Sequence, residues 1–185
     1  LALEDHEHQQ PAREQPEADQ RQGDVATHLT AARAHTARRL LELGCGVGLV
    51  TTAAMASGHE VTATDYYTDA LAFTRANAFR NLGKSPVAEM MNWRNFPVHA
   101  AGFDKVIASD VLYESEYAKI IPNILKRALT LHGVALISDP GRIATPEFLE
   151  VCEKVGLELL GQETTPWSMG EINQQITVYE LGRTS

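Results

Sequence analysis

The apolar positions of this 185-residue chain fall into two alternating periods from about residue 40 onward. Short continuous runs bounded by Gly, Pro or Asp read as buried strands, and runs with apolar residues three or four apart read as helices covering them. RLLELG (39–44) is the first strand and VTTAAMASG (50–58) a helix stopping at Gly58. HEVTATD (59–65) is a strand, followed by the helical TDALAFTRANAFRNLG (68–83), which ends at Gly83. PVAEMMNW (86–93) and FDKVIASDVLY (103–113) are the third and fourth strands. EYAKIIPNILKRALTLHG (116–133) reads as a helix, with Pro122 marking a kink or a late start. GVALISDPG (133–141) is the fifth strand. TPEFLEVCEKVG (145–156) is a helix with Thr145 as its N-cap and Pro146 at its first position. LELLGQET (157–164) and QQITVYEL (174–181) close the chain as two strands joined by a loop. Strands alternating with helices imply a mostly parallel sheet covered on both faces, and the last two strands imply an antiparallel hairpin.

The first 24 residues break this pattern. They hold almost no aliphatic residue after Leu3 and are dominated by Glu, Gln, Asp and Pro, so they bury too little surface to offset their ordering entropy. They are expected to form a mobile arm, with His6 and His8 as solvated tail residues rather than metal ligands. Residues 25–185 form a single domain, whose first segment, VATHLTAARAHTARR (25–39), is compatible with a helix capped by Asp24. The formal charge of −8 argues against general affinity for nucleic-acid backbones and suits cationic partners. No apolar stretch approaches the roughly 20 residues of a membrane span, and the polar N-terminus does not read as a secretory signal. Cys45 and Cys152 form no CxxC site. A cytoplasmic monomer with reduced thiols and no bound metal is expected.

The candidate chemistry begins at LLELGCGVGLVTTAA (40–54), where Gly44, Gly46 and Gly48 alternate between a strand and a helix. Missing side chains allow a tight turn and close approach of a ligand to backbone, and the helix start offers free N–H groups to an anion. A dinucleotide fingerprint needs GxGxxG/A. Here the third glycine comes one position early and Leu49 holds the later small position. No GK[ST] follows for a nucleoside triphosphate. Asp65 ends the second strand, where a carboxylate can accept hydrogen bonds from both hydroxyls of a ribose.

The GxGxG turn, with Glu42 before it and Asp65 after it, resembles motif I of the seven-strand S-adenosylmethionine-dependent methyltransferases. SDVLYE after the fourth strand resembles the D-x-x-Y motif of methyltransferase family 16, which contains many protein lysine methyltransferases. SDPGR after the fifth resembles the branch holding the electron-transfer-flavoprotein β-subunit lysine methyltransferase and nicotinamide N-methyltransferase-like bacterial proteins. The resemblance covers about residues 40–181. It implies a Rossmann-like, doubly wound, mostly parallel seven-stranded sheet with a C-terminal antiparallel hairpin. It also implies S-adenosyl-L-methionine as cofactor. Glu42, Gly44, Gly46 and Gly48 would then line its methionine part. Asp65 would hold the ribose, with Tyr66 beside the adenine. Asn92 and Trp93 match a position where relatives carry Asp-Trp near the adenine. Asp110 and Tyr113 would face the transferable methyl group and the acceptor, positioning it without an obligatory general base. Arg142 is a rim residue for a protein substrate, and Trp167 is a core or rim aromatic. Relatives carry a tryptophan-containing segment before the first helix, covering the cofactor. Nothing like it occurs in residues 1–39, so either the arm substitutes for it differently or the pocket is open and activity is impaired.

Three functions fit these residues. The first is methylation of a protein side chain, with lysine foremost. The second is methylation of a small amine or other metabolite. The third is a cofactor-binding module without catalysis.

Overall fold

A computed structural model describes residues 38–97 and 100–184. The expected arm, the helix over 25–39 and its Asp24 cap lie outside the described residues, apart from Arg38 and Arg39, and the latter opens the first strand. Seven strands form one sheet: β1 (Arg39–Leu43), β2 (Glu60–Asp65), β3 (Val87–Met90), β4 (Phe103–Ser109), β5 (Leu129–Asp139), β6 (Leu157–Met169) and β7 (Ile172–Arg183). Their order is β3-β2-β1-β4-β5-β7-β6. The first five pair in parallel, while β7 runs antiparallel to both β5 and β6. The order reverses between β1 and β4, which places the ligand crevice of an open sheet at their carboxyl ends.

Period-two alternation assigns the faces. Leu41 and Leu43 of β1 join Val106, Ala108, Ala135 and Ile137 in a core covered by α3 (Ser115–Ala128) and α4 (Thr145–Lys154). Leu40 points the other way, packing with Ile107 and Leu136 under α1 (Leu49–Ala56) and α2 (Thr68–Leu82). Both faces are therefore buried, as continuous apolar strands require. The helix expected after β2 ends where the sequence placed its stop, with Gly83 left-handed at φ 69°. α3 buries Ala118, Ile121, Leu125 and Ala128 on one stripe and continues through a buried Pro122.

Several boundaries differ from expectation, among them β4, which ends at Ser109 and not at Tyr113. α3 stops at Ala128, and the residues LTLH (129–132), assigned to the helix by pattern, begin β5 instead. The loop expected between the last strands is strand as well, leaving a two-residue turn at Gly170–Glu171. Thr145 is not the cap of α4, because Ala144 holds that place and the Thr145 hydroxyl donates to Asp139 Oδ2 at 2.7 Å. No helix of the described residues is long and apolar enough to cross a membrane.

Candidate active site

A cleft opens at the carboxyl ends of β1, β2 and β4, and Gly44, Asp65, Tyr66, Asn92, Trp93, Asp110 and Tyr113 line it together. These are seven of the residues singled out by sequence. Gly44 forms the floor: a Cβ built there would stand 3.4 Å from the Trp93 ring and 3.5 Å from Val111. The left-handed backbone there, φ 73°, is what calls for glycine. Asp65 is nearly buried, and each of its oxygens accepts one backbone N–H at 3.0 Å, from Gly46 and from Tyr67. An ionised carboxylate has further lone pairs, so Asp65 can take ribose hydroxyls while clamping the glycine turn to the next loop.

Glu42, Gly46 and Gly48 do not line the cleft. Glu42 shares the parity of Leu40 and therefore projects beneath α1, where it accepts the Thr51 hydroxyl and backbone N–H. It serves as the missing N-cap of a helix whose entry residue, Gly48, has no side chain. Burial pushes its carboxyl up to about 7, opposed by the Thr51 bonds and aided by the charge of Asp65. Gly48 is left-handed at φ 84°, and a Cβ there would lie 2.7 Å from Thr74 Cα. It is required for packing α1 on α2. These three residues hold the turn from behind, a role their motif position did not reveal.

On the adenine side of the expected layout, Asn92 caps a short 3-10 turn, Trp93–Asn95, by accepting the Arg94 N–H at 3.0 Å. Its carbonyl retains one free lone pair. Trp93 packs edge-on against Tyr117, centroids 4.9 Å apart, and Tyr117 meets Tyr113 in the same manner at 5.3 Å. Tyr66 and Tyr67 add exposed rings to the rim. Arg94 lies over Tyr117 and pairs with Glu116 at 2.5 Å. Tyr67, Arg94 and Tyr117 were not singled out from sequence. Their signal was the apolar and aromatic spacing of α3 and the Tyr-Tyr pair after Asp65. Partial burial and the neighbouring Tyr117 push the Tyr113 phenol up to about 12, so it remains protonated at neutral pH.

Asp110 adopts φ 53°, the one left-handed non-glycine among the described residues. That conformation costs roughly 1–2 kcal/mol. Its N–H donates to Ser138 O at 2.8 Å, tying the end of β4 to β5. Both carboxylate oxygens are met by Arg142, whose Nε and Nη2 donate at 2.7 Å each. Arg142 therefore contacts Asp110 directly instead of presenting a free guanidinium at the rim. Trp167 lies on β6, paired with Gln174 and away from the cleft. Cys45 and Cys152 are buried free thiols, pushed by burial to about 11 and about 12, and are unreactive there.

Comparison with known proteins agrees with this fold. The profile of a family described as lysine methyltransferase matches residues 15–154. Among solved structures, a TehB-like SAM-dependent methyltransferase from Corynebacterium glutamicum superposes with a TM-score of 0.68 at 23% identity, covering 89% of this chain and 95% of that one. Magnesium protoporphyrin IX methyltransferase from Synechocystis, solved with bound SAM, gives 0.70 at 16% identity over 88% and 79%. A ribosomal protein L11 methylase from Lactobacillus delbrueckii gives 0.68 at 18% identity over 91% and 81%. At these identities the likeness concerns the fold.

Proposed function

The chain belongs to the lysine methyltransferase family and is an S-adenosylmethionine-dependent methyltransferase, and we propose that its acceptor is the side-chain amine of a protein lysine. The observation that carries this reading is the meeting of two residue sets in one cleft. Gly44 and Asp65 supply bare backbone and a carboxylate on one side, and Asp110 and Tyr113 supply polar groups on the other. The glycine turn at Gly44, which lines the cleft, and the free lone pairs of Asp65 fit a nucleoside with an amino-acid tail. In the proposed layout Gly44 receives that tail, Asp65 the ribose, and Tyr66, Asn92 and Trp93 surround the adenine. Glu42, Gly46 and Gly48 shape the turn.

The bound cofactor supplies an electrophilic methyl group on a sulfonium. The residues of the chain position the acceptor and govern its proton. A lysine of ordinary pKa about 10.4 must lose its proton to become a nucleophile, which costs roughly 4.6 kcal/mol at pH 7. Tyr113, held protonated, donates or packs but does not take that proton. Orientation by Asp110 and Tyr113 supplies acceleration through proximity, and the proton passes to solvent. The test is incubation with radiolabelled S-adenosylmethionine and a cell lysate, followed by separation of proteins from metabolites. Label on lysine of a protein band is the expected result. Label confined to small molecules would replace the acceptor by a metabolite amine, and cofactor binding without any transfer would leave a binding module.

A further inference from the structure

Asp110 faces the cleft, but its charge is not free, because Arg142 bonds both of its oxygens. The turn after β5 is built to deliver Arg142 onto it. Asp139 is fully buried, and its Oδ2 accepts the N–H groups of Gly141 and Arg142 at 2.8 and 2.9 Å and the Thr145 hydroxyl. Those bonds fix the backbone of Arg142. β4 and β5 are adjacent, with Ser109 opposite Ser138, so the residues just beyond each strand end stand side by side. The guanidinium then takes both Asp110 oxygens in a fork, the geometry that Arg offers and Lys does not. The pair is about half exposed, so its stabilising effect is small. A fork this well aimed at a cleft residue with a strained backbone points to function.

We infer that Arg142 is a positioning residue for methyl transfer, which offsets the charge of Asp110 so that the cleft admits the acceptor lysine as a neutral amine. A bare carboxylate beside the acceptor would favour its ammonium form and raise its pKa. With Asp110 bridged, the outer lone pairs of the carboxylate still orient an N–H while the pull on a positive charge is reduced. The inference rests on the lysine reading of the site and specifies the protonation state in which that lysine is received.

The test compares Arg142→Gln, Arg142→Lys and the double variant Asp110→Asn/Arg142→Gln with the parent protein, each checked for folding by circular dichroism. Rates are read as kcat/KM against pH on the protein acceptor found by labelling. In Arg142→Gln the apparent acceptor pKa should rise by about one unit. The rate near pH 7.5 should then fall about tenfold, with the loss shrinking above pH 10. Arg142→Lys, which keeps the charge without the fork, should restore the profile only in part, and the double variant should return the apparent pKa to that of the parent. A second readout needs no turnover: titration of the cofactor-bound protein with butyltrimethylammonium, a permanently charged stand-in for the lysine head. Its affinity should rise severalfold in Arg142→Gln and fall back in the double variant. A uniform rate loss with an unmoved pH profile, or unchanged cation affinity, would overturn the role. Absence of any protein acceptor would instead remove the lysine reading, while the cation titration would still decide the charge at Asp110.

Discussion

At the scale of single residues, the glycine turn separates positions that meet the cleft from positions that support it. Gly48→Ala places a Cβ against Thr74 backbone and forces a left-handed residue. It should cost about 2–4 kcal/mol. Gly46→Ala meets no atom within 4 Å and should cost only about 1 kcal/mol. Urea unfolding of the two variants tests the ranking, and equal losses would show that the turn, not α1 packing, requires both glycines. Glu42 gives a pH-dependent counterpart. Its carboxyl titrates near 7 in the fold against 4.5 for an ordinary glutamate, so the folded state binds the extra proton between those values. The associated stability is fully present below about pH 4.5 and is lost as pH rises through 7, a change on the order of 3 kcal/mol. Glu42→Gln should remove that slope and be the more stable protein at pH 8. Melting temperatures of both proteins from pH 5 to 8 decide it, since parallel profiles would mean Glu42 does not titrate there.

At the scale of elements, the β6–β7 hairpin extends beyond the rest of the sheet, and a protein acceptor is expected to use it. β5 pairs with β7 only as far as Asp139 opposite Thr177, yet the β6–β7 ladder continues to Met169 opposite Ile172. Five residues of β7 thus run on past the carboxyl end of β5, about 17 Å at strand rise, on the side where the cleft opens. Joining Thr165 directly to Ile176 through an Asn-Gly turn should leave the melting temperature and cofactor affinity nearly unchanged. Methylation of a protein acceptor should fall more than tenfold, whereas an unchanged rate would mean the acceptor does not use the arm. This arm was not legible in the sequence. Pro166, Ser168, Gly170 and Asn173 have turn composition, and Pro166 is tolerated because β6 is a sheet edge. The order of β1 to β4 was legible, because the inner strands carry apolar runs and the helices after β1 and β2 stop close to Gly58 and Gly83, while the end of β4 was placed four residues late. The start of β5 was not, since Leu129 and Leu131 suit a helical stripe as well as a strand. Cleft residues at strand ends were found through their motifs. The Asp110–Arg142 bridge was missed because it spans 32 residues and depends on β4 and β5 being neighbours.

At the scale of the whole molecule, the charge of −8 is expected to act on how an acceptor arrives rather than on how it reacts. Exposed charges interact over about 30 Å at 0.01 M salt but only about 8 Å at 0.15 M. An acidic enzyme seeking a lysine on a basic surface should therefore gain its encounter rate from long-range attraction, which salt removes. The local field at the cleft is different, because Arg142 bridges Asp110 and Arg94 bridges Glu116. Capture and chemistry are thus expected to respond separately. Raising added salt from about 20 to about 300 mM should lower kcat/KM for the protein acceptor severalfold through the association rate. kcat should change less than kcat/KM, since contact pairs about half withdrawn from solvent are screened less than separated surface charges. An uncharged small acceptor should show neither change. Measured side by side at fixed pH and saturating cofactor, a salt-independent kcat/KM for the protein acceptor would show that the acidic surface does not steer it, and a kcat falling as steeply would place the salt-sensitive charge inside the cleft itself.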